Sequence, residues 1–327
     1  MEAKKLIFLT GVNSNLKGHE PVPKSFGKFL LDRGLLTFKI DSSIEKIVCI
    51  DYSPVVRGQI KEQGVSSVDC TLVRMEPSVV LPANFTRARN KQFSQIVTVG
   101  GPQSNKDSAS VNWPLIWPSS SKLDKLFANE RAERIVLING NKMSLIKGEL
   151  YSLRREAINA LDILDLYGTE WDSSFMSRLT IALKSFAHTI LSLKFPKVSG
   201  FRLWFQSYPK SRGVIADKLE TMSKNKYALV IENSAEYMSE KLFDAFFAGC
   251  IPIYVGPNVA DYGIPKNLVL QAEPNLKSIK KSLDRAKGMI FENFQQELRK
   301  FLDDEKTIEQ WSHENVYEKM LEIVLGR

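Results

Sequence analysis

The chain has 327 residues, 43% hydrophobic and 25% charged, an ordinary globular composition that excludes a low-complexity or collagen-like chain. Single cores stop growing near ~250–300 residues, so the length predicts two domains. The 45 basic and 37 acidic residues give a formal charge of +8, which suggests an anionic partner, but the lysines are scattered and show no zinc-finger or RNP signature, so nucleic acid is not expected.

No run approaches the ~20 apolar residues that cross a bilayer, and Met1-Glu-Ala-Lys-Lys leads into a strand-like run without a small-residue cleavage site. The expectation is a cytoplasmic protein, with peripheral contact at the inner membrane face as an addition considered below. Cys49, Cys70 and Cys250 are dispersed, lack a C-x-x-C pair and have no histidine nearby, so reduced thiols are expected. Asn84-Phe85-Thr86 matches a glycosylation acceptor but has no meaning without secretion.

In chain order, Leu6–Thr10, Lys46–Asp51, Cys70–Arg74 and Ser94–Val99 are short apolar runs bounded by turn residues, read as buried strands of an α/β domain. The polar loop Pro102–Ser110 and Trp113-Pro-Leu-Ile-Trp117-Pro place a boundary near residue 125. Beyond it come a strand at Arg134–Asn139, a helix at Gly148–Leu164, a strand at Tyr227–Ile231 and a helix at Ser239–Ala248. Strands at Ile251–Val255 and Leu268–Gln271, then a helix at Leu276–Ala286, continue the pattern. This alternation predicts βαβ units, a parallel sheet and a Rossmann-like domain. The expected organisation is an acceptor-side domain over 1–125, a nucleotide-sugar domain over 126–305 and a terminal helix within 306–327 that packs back on the body.

Phe175–Phe195 carries apolar residues around much of its circumference, with Arg178, Lys184 and Lys194. It reads as a helix packed on the sheet, the alternative being a basic amphipathic helix at a membrane surface.

Chemistry points to the end of Tyr227–Ile231. In open parallel sheets ligands bind beyond the carboxyl ends of the strands. There Glu232-Asn233-Ser234 leads through a loop to Ser239, a natural N-cap for a helix opening Glu240-Lys241. A carboxylate suits ribose hydroxyls and an ammonium suits a diphosphate. Taken singly, each has a plain structural reading: acids favour first helical turns, Lys241 can be solvated and Asn233 can be a turn residue.

Together these residues carry a resemblance. Tyr227-Ala-Leu-Val-Ile-Glu232-Asn233-Ser234, then Tyr237-Met-Ser239-Glu240-Lys241-Leu242, then Ala248-Gly249-Cys250-Ile251-Pro252-Ile253-Tyr254-Val255-Gly256-Pro257 resemble the donor-binding signature of the α1,3/4-fucosyltransferase family, glycosyltransferase family 10. Asp261-Tyr262 and Ile264-Pro265 continue it, and the loop from Asn233 to Tyr237 is shorter than the family's. The resemblance implies an α/β GT-B fold, two Rossmann-like domains facing a cleft. It also implies that Asn233, Tyr237, Glu240 and Lys241 line a GDP-fucose site.

The family's phosphate-binding arginine corresponds to Arg154 in Tyr151-Ser-Leu-Arg154-Arg155, with Lys147 as an alternative and an exposed arginine as the structural reading. Arginine suits phosphate because its planar fork grips two oxygens. Leu72-Val73-Arg74-Met75-Glu76-Pro77 is similar to the family's Glu-Ser-Pro segment, which makes Glu76 the candidate catalytic base; a salt bridge to Arg74 is its structural reading. The implied reaction is metal-independent transfer with inversion onto a galactose or N-acetylglucosamine hydroxyl, as in lipopolysaccharide or protein glycosylation. No cofactor is expected. The chain contains no Asp-x-Asp triplet, and His19, His188 and His313 are far apart in sequence, so no metal site is expected. Acceptor contacts are expected from Asn13–Lys17 and Val99–Trp117. Another nucleotide sugar, or a non-catalytic nucleotide-sugar-binding protein, are the alternatives.

Overall fold

A computed structural model describes residues 6–11, 16–17, 20–39, 43–53, 69–102, 109–191, 201–208 and 210–326. His19 and Lys194, most of Asn13–Lys17, part of Val99–Trp117 and the end of Phe175–Phe195 lie outside the described residues. So does the His188 side chain.

The chain divides into two compact units, Met1–Trp117 with Glu309–Arg327, and Pro118–Ile308. The division falls at Trp117, ahead of the position 125 read from the sequence, and returns at Glu309.

In the first unit β1 (Leu6–Gly11), α1 (Phe26–Asp32), β2 (Leu36–Thr37), β3 (Ile44–Ile50), β4 (Asp69–Arg74), β5 (Gln95–Val99) and β6 (Ala109–Val111) follow in order. The sheet runs β2-β1-β3-β4-β5-β6, with every neighbouring pair parallel. Parallel strands are covered on both faces, which is why Ile47, Val48, Leu72, Val73 and Val97 are fully buried in apolar runs. Ser25 opens α1 by accepting from the Lys28 amide at 3.1 Å, turning Phe26, Phe29 and Leu30 onto the sheet. The terminal helix His313–Leu325 completes this core with Val316, Tyr317, Met320, Leu321 and Val324.

The second unit holds α2 (Ser120–Phe127), β7 (Ala132–Ile138), α3 (Tyr151–Ala160), β8 (Leu164–Tyr167), α4 (Phe175–Leu191), α5 (Phe201–Trp204) and α6 (Lys218–Met222). Then come β9 (Asn225–Ile231), α7 (Lys241–Phe247), β10 (Ile251–Val255), β11 (Leu270–Gln271), α8 (Leu276–Lys287) and α9 (Phe291–Asp303). Its sheet runs β8-β7-β9-β10-β11, again parallel throughout. All five residues of β10 are buried, and so are Phe243, Phe246 and Phe247 of α7. A fully buried Val, Ile or Phe stabilises by about 1.5–3 kcal/mol, so β9, α7 and β10 form a rigid centre. Asn275 caps α8 by accepting from the Ser278 amide at 2.9 Å.

Two expectations are corrected. The helix read over Gly148–Leu164 stops at Ala160, and Leu164 opens β8, whose Asp165 is a buried partner of Arg134 and Arg212. Helix α7 begins at Lys241, and its N-cap is Glu240, not Ser239. Ser239 is instead taken up by a buried carboxylate.

Candidate functional site

Strand β9 ends at Ile231 between two parallel neighbours, so Glu232, Asn233 and Ser234 emerge at the carboxyl edge of the sheet. Glu232 is fully buried. A buried carboxylate is tolerated only when its oxygens are satisfied. One oxygen accepts from the Ser239 amide at 3.0 Å; the other accepts from the Ser239 hydroxyl at 2.7 Å and the Lys241 ammonium at 3.3 Å. Lys241 also donates to Ser239 Oγ at 2.6 Å. The loop after β9 is thus folded back on Glu232, which fixes where Lys241 stands.

The adjoining end of β10 requires a glycine. A Cβ at Gly256 would lie 2.4 Å from Tyr254 Oη and 2.9 Å from Glu232 Cγ. Burial first, and then the charge of Glu232, push the Tyr254 phenol well above its usual value.

Arg154 reaches the same edge from α3. Its Nε and Nη2 donate to the Ile231 carbonyl at 3.1 and 2.6 Å, and Nη2 donates to Asn233 Oδ1 at 3.0 Å. Arg154 is buried, not an exposed helix arginine, and its guanidinium lies 4.8 Å over the Tyr151 ring. Burial lowers its pKa, although Tyr151, Glu232 and Glu149 pull the other way. The start of α3 is stitched to the same loop: the Leu150 amide donates to the Asn233 carbonyl at 3.0 Å, and Glu149 accepts from the Ser152 amide at 2.9 Å.

Glu240, partly exposed, lies 3.9 Å from Lys218 Nζ, which also grips Asp244. Burial raises the Glu240 carboxyl, but Lys241 and Lys218 outweigh it and hold the group below its ordinary value. Asp244 goes the opposite way: burial and the charge of Glu240 raise it against the pull of Lys218. Tyr237 is buried in the loop between these groups. The structure therefore brings Arg154, Asn233, Glu240 and Lys241 around Glu232, with Tyr237 in the connecting loop. Lys147 is exposed. Arg155 is structural, donating to the Lys142 carbonyl at 2.5 Å and lying 4.7 Å over the Trp204 ring.

Glu76 belongs to the first unit, just beyond β4. Its amide donates to Asp51 Oδ1 at 3.0 Å and its carbonyl accepts from Asn84 Nδ2 at 3.2 Å. Asp51 is fully buried at φ 56°, and the same Oδ1 accepts from the Met75 amide at 2.8 Å and Asn84 Nδ2 at 2.6 Å. A non-glycine residue in the left-handed region persists where its surroundings over-determine it. Asp51 and Asn84 thus hold the Glu76 backbone in place.

Sequence reasoning missed Glu232 as the hub, and with it Lys218, Asp51 and Asn84. The one available signal for Glu232 was a lone acid closing a buried apolar strand. Among the described residues, no cluster of three or more His, Cys, Asp or Glu is placed to hold a metal ion.

No family model matches the chain, and no curated protein matches it. Solved structures do. An α1,3-fucosyltransferase superposes with a TM-score of 0.54 at 12% identity, covering 99% of this chain and 91% of that one, and it has also been solved with GDP-fucose at the same similarity. A UDP-forming α,α-trehalose-phosphate synthase from Burkholderia xenovorans gives 0.56 at 10% identity, covering 98% and 99%. Anabaena HepE, solved with UDP and glucose, gives 0.54 at 9% identity, covering 98% and 100%. The fold is GT-B. At such identities the likeness establishes the architecture of two Rossmann-like α/β domains, as the sequence led us to expect, and nothing finer.

Proposed function

We propose that the chain is an inverting glycosyltransferase that moves fucose from GDP-fucose to a galactose- or N-acetylglucosamine-type glycan hydroxyl. The observation that carries this reading is the assembly of Arg154, Asn233, Glu240 and Lys241 around buried Glu232 at the carboxyl edge of a parallel sheet. In this reading Lys241, with Arg154 behind the Asn233 loop that it braces, would counter the charge of a diphosphate, and Glu240 would offer a carboxylate to ribose hydroxyls. Buried Tyr237 is assigned to the same donor site through the family resemblance.

In the proposed step the acceptor oxygen attacks the anomeric carbon as Glu76 takes its proton. The anomeric carbon–phosphate oxygen bond breaks, and the nucleoside diphosphate leaves with the electron pair. This step calls for no metal and no cofactor.

The test is release of GDP from GDP-fucose by purified protein given β-linked galactose or N-acetylglucosamine acceptors, with and without EDTA. Equal turnover in both arms supports the proposal. Turnover of another sugar nucleotide but not GDP-fucose refutes the donor assignment. That second reading has its own support, because one of the similar structures holds UDP and glucose. Binding of GDP without turnover of any donor points to a nucleotide-sugar-binding protein.

A further inference from the structure

Helix α4 turns its large apolar side chains away from the protein. Phe175, Met176, Leu183, Phe186 and Ile190 are between 47% and 67% exposed, whereas the face toward the unit carries Arg178, Ala182 and Thr189. Met176, Leu183 and Ile190 are spaced by seven, with exposed Phe186 and half-buried Leu179 between them, so these side chains form one stripe about 22 Å long. A packed helix shows the reverse pattern, and monomeric proteins rarely expose contiguous apolar patches of this kind.

Charge identifies what covers the stripe. From Ser173 to Ala216 the sequence holds seven Lys and Arg and no Asp or Glu; of these, Arg178 is buried, and Lys210 and Arg212 lie 3.9 and 2.6 Å from Asp162 and Asp165. Lys184 lies on α4 itself, and Arg202 on α5. Helix α5 and the chain just after it pack on α4: the Phe175 and Phe205 rings lie 5.3 Å apart, and Trp204 Nε1 donates to the Arg178 carbonyl at 2.9 Å. A second copy of the chain is disfavoured, because a two-fold interface would bring Lys184 and Arg202 against their own copies with no acid on α4 or α5 to offset them. An apolar stripe on a helix pair that carries these cations and no acid matches a bilayer surface with anionic headgroups.

We propose that α4 lies in the interface of an anionic lipid membrane, with Met176, Leu183, Phe186 and Ile190 in the acyl boundary and Lys184 and Arg202 among the headgroups. No crossing is involved: among the described residues no helix is long and apolar enough to span a bilayer. The inference does not depend on the transferase reading.

The test is co-sedimentation of the full chain with phosphatidylcholine vesicles, alone or with phosphatidylglycerol added. The expected result is an apparent partition coefficient at least tenfold higher on the anionic vesicles, falling several-fold as salt is raised. L183D/F186D should lower it at least tenfold, and K184E/R202E by about fivefold or more. These substitutions are at exposed positions; as a second measurement, F186W keeps the bulk and should shift its emission to the blue on anionic vesicles only. Wild-type protein left in the supernatant of both vesicle types overturns the proposal, as does equal binding to both. So does a concentration-dependent dimer that L183D/F186D dissociates, which would assign the stripe to a second copy.

Discussion

Arg154 on α3 donates a hydrogen bond of 3.0 Å to the side chain of Asn233, beyond the end of β9. The same guanidinium holds the last carbonyl of that strand, so one side chain ties a helix to the loop that would receive a diphosphate. Arg154→Lys keeps the charge and loses the fork. It should destabilise the protein by about 2 kcal/mol, lowering Tm by roughly 4–8 °C, and weaken GDP binding tenfold or more. Differential scanning calorimetry and GDP titration measure the two effects; unchanged GDP affinity would remove Arg154 from the donor site.

Lys241→Met removes the cation that lies 3.3 Å from buried Glu232. A stranded buried charge is costly, although here the Ser239 amide and hydroxyl still satisfy part of it. The expected loss is about 2–3 kcal/mol in urea denaturation. Restoring neutrality with the double variant Glu232→Gln, Lys241→Met should recover part of that loss, whereas donor turnover should stay low in both.

Glu76→Gln should cut turnover by ~100-fold or more, the usual contribution of a general base, with little change in Tm. The stability should hold because glutamine is nearly isosteric with glutamate and the bonds with Asp51 and Asn84 are made by the backbone of residue 76. Asp51→Ala should show the converse signature: lower stability, and lower turnover with donor affinity unchanged.

The depressed Glu240 carboxyl makes a signed prediction for pH. A group whose folded pKa lies below its unfolded value, 4.5 for glutamate, stabilises fully above that value, and the contribution disappears as pH falls through the folded pKa. Relative to Glu240→Gln, the wild type should therefore be more stable at pH 7, the margin closing below pH 4.5. Thermal melts of both proteins across that range check it; because the group is partly exposed, the margin should also shrink in high salt.

Burial pushes the Cys49 and Cys250 thiols up to about 12, and Cys70 is raised as well. The thiolate is the reactive form, so native protein at pH 8 should leave Cys49 and Cys250 unmodified by Ellman's reagent, with all three reacting after denaturation. Rapid labelling of Cys250 in the native state would contradict its burial.

The segment Tyr227–Gly256 was legible in the sequence because its strands are unbroken apolar runs and its polar residues cluster in the loop between strand and helix. Both parallel sheets follow from the same alternation. Leu164–Tyr167 was hidden because its Asp165 interrupts the apolar signal, and its partners Arg134 and Arg212 are distant in sequence. Glu232 was read only as a strand end, since nothing in its neighbours declares that Ser239 and Lys241 fold back to it. Asp51 and Asn84 are separated by 33 positions, and their support of Glu76 exists only after β3 and β4 pair. Periodicity reports which face is buried; it carries no record of which polar groups meet.

The terminal helix His313–Leu325 completes the core that Leu6–Gly11 begins, while everything from Pro118 to Ile308 lies in the other unit. During synthesis the second unit can therefore reach its final packing while the first still exposes Ile7, Leu9, Phe29 and Val99 to solvent, awaiting residues made after all of the second unit. Termination between Ile308 and Val316 should leave a chain whose Pro118–Ile308 portion is folded and whose opening portion is a substrate for chaperones and proteases.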